Sequence, residues 1–346
     1  MLYFQKAAQI SPQETIFPQN LDSIHDGING KLIAIEPNYP FIPPNILRRM
    51  GKSVKMGVGT ALTIIENEEL HGIIIGTANG TKEDCMKFLR QIVDYQEGLL
   101  SPSNFVQGVP NAIASQIGLL SNNKSYNTTH VHEGLAFENA LIDAIMQLAE
   151  NKNNNYLVGA VDEISEFYHT IEILKGNYHN NTVFAKDFYD NKQNGTVAGE
   201  GAAMFLVNKH REGSIAKLTG IDIFQSTDLE YLGNRLLKFE DKYLSDNTTI
   251  DLIISGENGD ETYQDYYATM EMISNNHIPI IRFKHLCGEY STATSYAIWL
   301  ALQIFQHQNI PSHMFKTGTK TKQINRILIY NTYMGIQHSI ILLEKS

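Results

Sequence analysis

The side chains best suited to chemistry lie in the last third of the sequence. Lys284 and Glu289 share a short segment that also contains Cys287, and Glu257 precedes them. Two glutamates in one site can act as general acid and general base when burial raises the pKa of one of them. Lys284 could instead pair with a neighbouring glutamate and hold it ionised. Glu257 and Glu289 are therefore candidates either for acid–base catalysis or for a buried ion pair.

The chain has only two thiols, Cys85 and Cys287, and they are far apart in sequence. They form no metal-ligand pair, and such spacing is typical of free thiols in a reducing compartment. The first thirty residues contain neither a basic run nor a continuous apolar block, so we expect no secretory signal and a cytoplasmic location. Cys287 is expected to be a small packed thiol, because free cysteine is among the most buried residue types.

A run of alternating residues, Tyr126, Thr128, His130 and His132, predicts a strand that presents these four side chains on one face. The spacing of the two histidines beside Glu133 also permits a metal site. A third and a fourth ligand cannot be nominated from spacing, and histidines on buried strands are commonly hydrogen-bonded packing residues. We therefore expect no metal and no cofactor.

Composition limits the class of protein. The chain has 346 residues, 42% of them hydrophobic, and a formal net charge of −10. It is long enough to bury a large core, which excludes a disordered or fibrous protein. The acidic balance argues against nucleic acid, because phosphate binding requires clustered lysine and arginine. The longest apolar-rich stretch, 294–305, is too short to cross a bilayer.

Short apolar runs alternate with amphipathic segments, which is typical of a sheet covered by helices on both faces. The strand and helix order restarts near Ser214. Thr81 could cap a helix whose apolar positions, including Leu89 and Val93, share one face, with Asp84 completing a capping box. The expected strands are 31–35, 71–76, 156–161, 202–207, 216–224, 252–255, 278–283, 326–331 and 339–344, and the other expected helices are 103–119, 137–149, 163–174 and 291–308.

Five segments, in this order and spacing, resemble the β-ketoacyl synthase family. They are the Ser-Pro-x-x-Phe start at 101–105, the Gly-Glu-Gly-Ala turn at 199–202, the stretch 255–265 that ends in Asp265, the lysine segment 283–289 and the loop 331–337. The resemblance implies the thiolase fold, an α/β architecture of duplicated βαβαβαββ halves in an α-β-α-β-α five-layer sandwich. The halves are expected at 1–213, with the elbow and a dimer-interface strand, and at 214–346.

The catalytic positions of that family are altered here. Gly134 occupies the place of the nucleophilic cysteine at the strand-to-helix elbow, while Glu257 and Glu289 stand where the family has two histidines. Lys284 matches the family's lysine, and Gly335 alone remains of a double glycine in the closing loop. A carboxylate can only accept hydrogen bonds, so it cannot stabilise the oxyanion that an imidazole would. The resemblance therefore implies a subunit that does not condense acyl chains by itself.

Ketosynthase-like subunits without a working nucleophile include the chain-length factors of aromatic polyketide and aryl-polyene pathways, and this sequence resembles the aryl-polyene and flexirubin type. The resemblance implies a heterodimer with an active ketosynthase in polyketide or fatty-acid-like biosynthesis. Acyl carrier protein is expected to dock mainly on that partner, because this chain is acidic like the carrier. The residues expected at the tunnel wall or the interface are Tyr126, Thr128, His130, His132, Phe137, Cys287, Tyr333 and Gly335.

Two alternatives remain open from the sequence. One is an acyltransferase or hydrolase that uses Glu257 and Glu289 as acid and base. The other is a homodimeric binder of acyl carriers or lipids.

Overall fold

The computed structural model describes residues 1–13, 24–78, 80–190, 194–244, 249–272, 278–319 and 323–346. Its strands are β1 Leu2–Ile10, β2 Lys31–Leu32, β3 Gly72–Gly76, β4 Tyr126–His130, β5 Tyr156–Asp162, β6 Ala198–Gly199, β7 Gly201–Asn208, β8 Ala216–Gln225, β9 Leu252–Ser255, β10 Ile280–Arg282, β11 Phe315–Thr317, β12 Arg326–Tyr333 and β13 Gln337–Lys345. Its α-helices are α1 Pro44–Leu47, α2 Lys52–Ile65, α3 Lys82–Asp94, α4 Pro102–Gln107, α5 Ala112–Leu120, α6 Ala136–Glu150, α7 Glu166–Leu174, α8 Leu229–Tyr243, α9 Gln264–Met272, α10 Lys284–Cys287 and α11 Thr294–His307.

The sheet topology repeats itself in the two halves of the chain. The first half orders its strands β4-β3-β5-β7-β1, and the second orders them β10-β9-β12-β13-β8. In each half the first three strands are parallel, and the next two connections are antiparallel. The halves join where β1 pairs with β8 over Leu2–Phe4. The duplicated architecture is therefore confirmed, while the boundary between 213 and 214 stays a prediction.

Three large apolar clusters define five layers. The central cluster contains α6 and α11, including Phe137 and Trp299, together with strands of both halves. A second cluster packs α2 and α5 on the outer face of the first half. A third packs α8 and α9 on the outer face of the second half. The order is helix, sheet, helix, sheet, helix, so the sandwich implied by the family resemblance is present.

Burial explains why the central elements read as continuous apolar sequence. All residues of β3, β5 and β7 are buried, which is expected of strands covered on both faces. In α11 every residue from Thr294 to Phe305 is buried, so this helix has no polar face. These elements fix the position of the elbow before α6 and of the lysine segment before α11.

Two expected elements differ from the structure. The helix expected at 103–119 is two helices, α4 and α5, because Gly108 ends the first and Pro110 follows it. The expected capping box at Thr81 does not form, since the Thr81 hydroxyl instead donates to the Val109 carbonyl. The apolar face of α3 is not covered either, and Val93 is 76% exposed.

Candidate functional site

The strand-to-helix elbow holds the position expected for a nucleophile. β4 is followed by a 3₁₀ turn, Glu133–Leu135, which leads directly into α6. Glu133 has a positive φ of 44°, and Gly134 is buried. A Cβ built on Gly134 would lie 2.2 Å from Cβ and 2.5 Å from Cγ of Tyr333. A cysteine cannot occupy this position, because Tyr333 already fills the space.

Tyr333 reaches the elbow because of the tight hairpin between β12 and β13. Tyr333 pairs with Gln337, so the turn consists of residues 334–336, and Gly335 takes a positive φ of 62°. A Cβ on Gly335 would lie 2.7 Å from Cε2 of Tyr266 and 2.9 Å from Cδ1 of Tyr263. Glycine is therefore required both by the backbone and by these two rings. Burial raises the pKa of the Tyr333 phenol.

Lys284 and Glu289 form a buried ion pair. Nζ of Lys284 donates to Oε1 of Glu289 at 2.6 Å, and Nδ2 of Asn258 donates to Oε2 at 2.8 Å. The lysine is fully buried and the glutamate nearly so. Both carboxylate oxygens of Glu289 are satisfied in its ionised form, so Glu289 is an ion-pair partner and not a free acid.

The cavity beside Glu289 is very small. It has a volume of about 20 Å³ and is lined by Tyr178, Tyr263, Tyr333 and Asn258 as well as Glu289. This is room for about one water molecule. The space beside Glu289 is too small for an acyl chain.

Glu257 does not lie with Glu289, contrary to the expectation from the sequence. Its Oε1 accepts from Nη1 of Arg282 at 3.1 Å, and its Oε2 accepts from Nζ of Lys316. Lys316 also donates to Glu271 at 2.7 Å. Since neighbouring residues of an extended segment point in opposite directions, Asn258 and not Glu257 meets Glu289.

Cys287 and Phe137 are buried in the core of this chain. Both are fully buried members of the central cluster. The Cys287 thiol donates to the Gly288 carbonyl, with Sγ and O 3.3 Å apart, and burial raises its pKa. The Phe137 ring packs on Phe205 with centroids 5.7 Å apart. Both side chains are buried between the sheets in the free chain, and the expectation that they lie at the tunnel wall or the interface stays a prediction.

The β4 residues form an exposed edge. Tyr126 is 41% exposed, and its hydroxyl donates to Oδ2 of Asp143 at 2.9 Å. Nε2 of His130 lies 2.9 Å from the same oxygen. Thr128 lies between them on the same face, and His132 is exposed beyond the strand. Asp143 of α6 therefore holds the histidine that had also suggested a metal.

Within the residues that the structure describes, no group of three or more histidine, cysteine, aspartate or glutamate side chains could hold a metal. In the same part of the chain, no helix combines the length and the apolar character needed to cross a bilayer.

A second cavity, of about 200 Å³, lies on the other side of Tyr333 from Glu289. Its walls include Lys82, Glu133, Tyr168 and Tyr178. Nζ of Lys82 lies 3.9 Å from the centroid of the Tyr168 ring, and burial lowers the pKa of this lysine. Sequence reasoning missed this chamber because its residues come from separate helices and loops and have no common motif.

Two buried carboxylates hold the loops around the elbow. Asp162 accepts hydrogen bonds from both halves of the chain, from Oγ1 of Thr77 at 3.0 Å and from Oγ1 of Thr292 at 2.7 Å. It also accepts from one backbone nitrogen in each half. Glu200 accepts from the backbone nitrogens of Ala34 at 2.8 Å and Ile164 at 3.0 Å, and it pairs with Lys52. The retained Gly-Glu-Gly-Ala turn therefore has a structural role that does not require catalysis.

Comparison with known proteins agrees with this architecture. Residues 29–183 match the family model described as β-ketoacyl synthase, N-terminal domain. No curated protein sequence matches the chain significantly.

Solved structures match over the full length. A β-ketoacyl synthase from Burkholderia phymatum has a TM-score of 0.79 at 12% identity, covering 100% of this chain and 99% of that one. The ishigamide ketosynthase/chain length factor has a TM-score of 0.78 at 13% identity, covering 100% and 99%. The ketosynthase ApeO in complex with its chain length factor ApeC, from Xenorhabdus doucetiae, has a TM-score of 0.78 at 11% identity, covering 100% and 98%. Identities this low establish the fold and nothing finer.

Proposed function

We propose that this protein is a noncatalytic, chain-length-factor-like subunit that pairs with an active ketosynthase. Residues 29–183 match the β-ketoacyl synthase N-terminal domain model, and the whole chain shares the fold of solved ketosynthase structures. The observation that carries the proposal is the side chain of Tyr333 against Gly134, where a nucleophile would have to stand. Covalent acyl transfer needs a nucleophile at the start of a helix, and neither cysteine of the chain lies at the elbow. The sequence resembles the chain-length factors of the aryl-polyene type, so the pathway in this proposal is aryl-polyene biosynthesis.

The free edge of β4 is the first support for a partner. β4 pairs with β3 on one side, and on its other side no described strand pairs with it. The equivalent strand of the second half, β10, is covered by β11 through Ile280 and Thr317. The duplicated fold thus caps one edge and leaves the other open. An open strand edge is a template for pairing with another chain.

A second support for a partner is an exposed apolar surface on α3 and α4. Leu89 and Val93 of α3, Leu99, and Phe105 and Val106 of α4 are all exposed, and we name these five residues the α3–α4 surface. A strand of five residues is too short to bury the area that a stable dimer needs. An apolar patch beside it supplies the missing area.

Direct contacts link β4 to α5 and to the residue before it. The Thr129 hydroxyl on β4 donates to Oδ1 of Asn111 at 2.8 Å, immediately before α5. Nδ2 of Asn127 donates to the Ala114 carbonyl at 2.9 Å. These bonds hold the start of α5, which follows α4 in the chain, against β4, and in this proposal the α3–α4 surface and the edge face the same partner.

In this proposal the tunnel that the subunit helps to shape lies between the two partners. The cavity at Glu289 is about 20 Å³, which is far below the several hundred Å³ of a typical ligand site. The exposed face of Tyr126, Thr128 and His130 is the part of the chain that could meet an acyl chain held by the partner.

The basic surface for an acidic carrier is small here. Arg48 and Arg49 are exposed and form no ion pair with a described residue, but Lys52 pairs with Glu200 and Lys55 with Glu36. Pairing cancels the local charge that would attract an acidic carrier protein. This supports docking of the carrier mainly on the active partner.

Acid–base catalysis by Glu257 and Glu289 is not favoured. Glu257 pairs with Arg282 and Lys316, whereas Glu289 pairs with Lys284. The two carboxylates line no common cavity among the described residues. Because the carboxylate oxygens of both glutamates are bonded to cations, neither glutamate is free to act as the base for hydrolysis.

The test is co-expression with the ketosynthase encoded nearest to this chain. Size-exclusion chromatography and native mass spectrometry should give a one-to-one complex, and malonyl-carrier decarboxylation should require the ketosynthase. Acylation of this chain alone, measured by intact mass, would contradict the proposal. A homodimer that persists in the presence of the ketosynthase would instead favour the homodimeric binder.

Thr129→Pro removes a backbone donor on the open side of β4 and should abolish the complex. The His130 carbonyl accepts from the Thr77 backbone nitrogen beside β3, so Thr128 also faces β3 and Thr129 faces the open edge. Thr317→Pro on β11 is the matched control, because β11 is the edge strand that covers β10 at the other end of the strand order. This variant should leave complex formation unchanged.

A further inference from the structure

Glu138 is a buried carboxyl group that the proposed function does not use. It lies in the first turn of α6, four residues after Gly134, and has no exposed surface. Neither of its oxygens has a hydrogen-bond partner among the described residues. A charge in this position would be strongly disfavoured, because burial removes water without providing a replacement.

Hydroxyl groups and one ammonium group surround the carboxyl from the neighbouring elements. The Thr294 hydroxyl of α11 and the Ser339 hydroxyl of β13 lie close to it. Oγ1 of Thr294 already accepts from Nδ2 of Asn331 at 3.0 Å, so its own hydrogen is free to turn towards Glu138. Lys284 of α10 is the charged group that acts on the carboxyl.

Lys284 does not neutralise Glu138, because its ammonium group is bonded to Glu289 at 2.6 Å. The sheet side of α6 adds no charge, since Ile74 of β3 and Val158 of β5 are apolar members of the same cluster. Burial is the largest effect on Glu138 and raises its pKa to about 7, although the two hydroxyls and Lys284 oppose the rise.

We propose that Glu138 is a proton-linked latch of the central helical layer: uptake of one proton by this carboxyl holds α6 against α11, and loss of that proton favours separation of the two helices at the elbow. The proposal does not depend on the proposed function, because it concerns the packing of the two halves. Glu138 lies about one helical turn after Gly134, so separation of α6 from α11 would also move the elbow.

The sign of the effect follows from the two pKa values. In the open state the carboxyl is hydrated and has its ordinary pKa of about 4.5, whereas in the closed state its pKa is about 7. Between these values the closed state binds more protons, so the open fraction rises as pH rises, by up to about tenfold per pH unit. Above pH 7 the carboxyl is ionised in both states and the dependence ends.

Amide hydrogen exchange along α6, corrected for intrinsic rates, is the direct test. Between pH 5 and pH 7 the opening constant of the wild-type helix should rise steeply, and above pH 7 it should level off. Glu138→Gln should be independent of pH over the same range, and Glu150→Gln, exposed at the end of the same helix, should behave as wild type. Equal pH profiles for the wild type and Glu138→Gln overturn the latch.

A second measurement does not require Glu138→Gln to fold. Glu163 is the other glutamate whose pKa burial raises to about 7, so Glu163→Gln leaves Glu138 as the expected protonated carboxyl at pH 6. Infrared spectroscopy of that variant should show a protonated-carboxyl band at pH 6 that disappears on unfolding. Absence of the band in the folded protein overturns the proposal.

Discussion

The Cβ of Tyr333 lies 2.2 Å from the position that a Cβ on Gly134 would occupy. A side chain on Gly134 and the observed position of Tyr333 are mutually exclusive, so a thiol at the elbow requires Tyr333 to move. The loss of the nucleophile and the filling of its space are one structural change, made by two residues almost two hundred positions apart in the chain.

Gly134→Cys should therefore destabilise the protein without giving it condensing activity. The added side chain has to displace Tyr333, and overpacking of this kind typically costs about 1–3 kcal/mol. Chemical denaturation measures the loss, and intact-mass analysis after incubation with acyl carrier protein checks for acylation. Gly233→Ala in α8 is the control, because the nearest atom to its new Cβ is 3.9 Å away. An alanine in that helix should be neutral or stabilising.

Breaking the Lys284–Glu289 pair should be far more damaging than breaking an exposed pair. Lys284→Met leaves Glu289 as an uncompensated buried charge, which costs about 3–5 kcal/mol. Lys175→Met, which breaks the largely exposed pair with Glu172, should cost about 1 kcal/mol or less. Equal losses in urea denaturation would contradict the prediction that burial makes this the more important pair.

The α3–α4 surface should matter for assembly and not for the stability of the free chain. Val93→Asp adds a charge to a side chain that is 76% exposed, so the free energy of unfolding should change by about 0.5 kcal/mol or less. Binding to the ketosynthase should weaken at least tenfold, measured by calorimetry or surface plasmon resonance. Leu174→Asp, at the exposed end of α7, is the matched control and should bind as wild type. Unchanged binding of Val93→Asp would remove this surface from the interface.

Much of the fold could be predicted from the sequence because its central elements are buried on all sides. The strand expected at 252–255 coincides with β9, and the helix expected at 291–308 contains α11. By contrast, the apolar periodicity correctly predicts the helix α3, but no described element covers Val93 on its apolar face. Periodicity states which side chains share a face, and it cannot state whether that face meets the same chain or a partner.

The site was predictable in part. Lys284 and Glu289 do meet, because they are close in sequence on a segment that the core immobilises. Glu257 was misplaced because a shift of one residue in an extended segment reverses the direction of the side chain, which brings Asn258 to Glu289 instead. The contact of Tyr333 with Gly134 had no sequence signal, since it depends on how the two halves pack.

The pH dependence of stability should change when Glu163 is neutralised. Burial is the main cause that raises the pKa of Glu163 to about 7, and the nearby Asp84 adds to it. The folded state therefore binds more protons than the unfolded state between pH 4.5 and pH 7, so Glu163 makes stability fall as pH rises through that window. The full effect is about 3 kcal/mol.

Glu163→Gln should accordingly make the stability profile less steep between pH 5 and pH 7, measured by urea denaturation at each pH, while Glu138 keeps its own contribution. Above pH 7 the wild type and the variant should run parallel. A variant whose stability falls with pH as steeply as that of the wild type would show that Glu163 is ionised in the folded protein throughout. Glu150→Gln, on an exposed helix end, is the control and should keep the wild-type slope.

The two thiols should differ sharply in reactivity. Cys287 is fully buried, and burial raises the pKa of its thiol, whereas Cys85 on α3 is only half-buried. Since the thiolate is the reactive form, the native protein should consume one equivalent of a thiol reagent, and the second should react only on unfolding. Cys85→Ser should abolish the native reaction, and Cys287→Ser should leave it unchanged. Rapid labelling of Cys287 in the folded protein would mean that the lysine segment opens, which would also expose Lys284 and Glu289 to solvent.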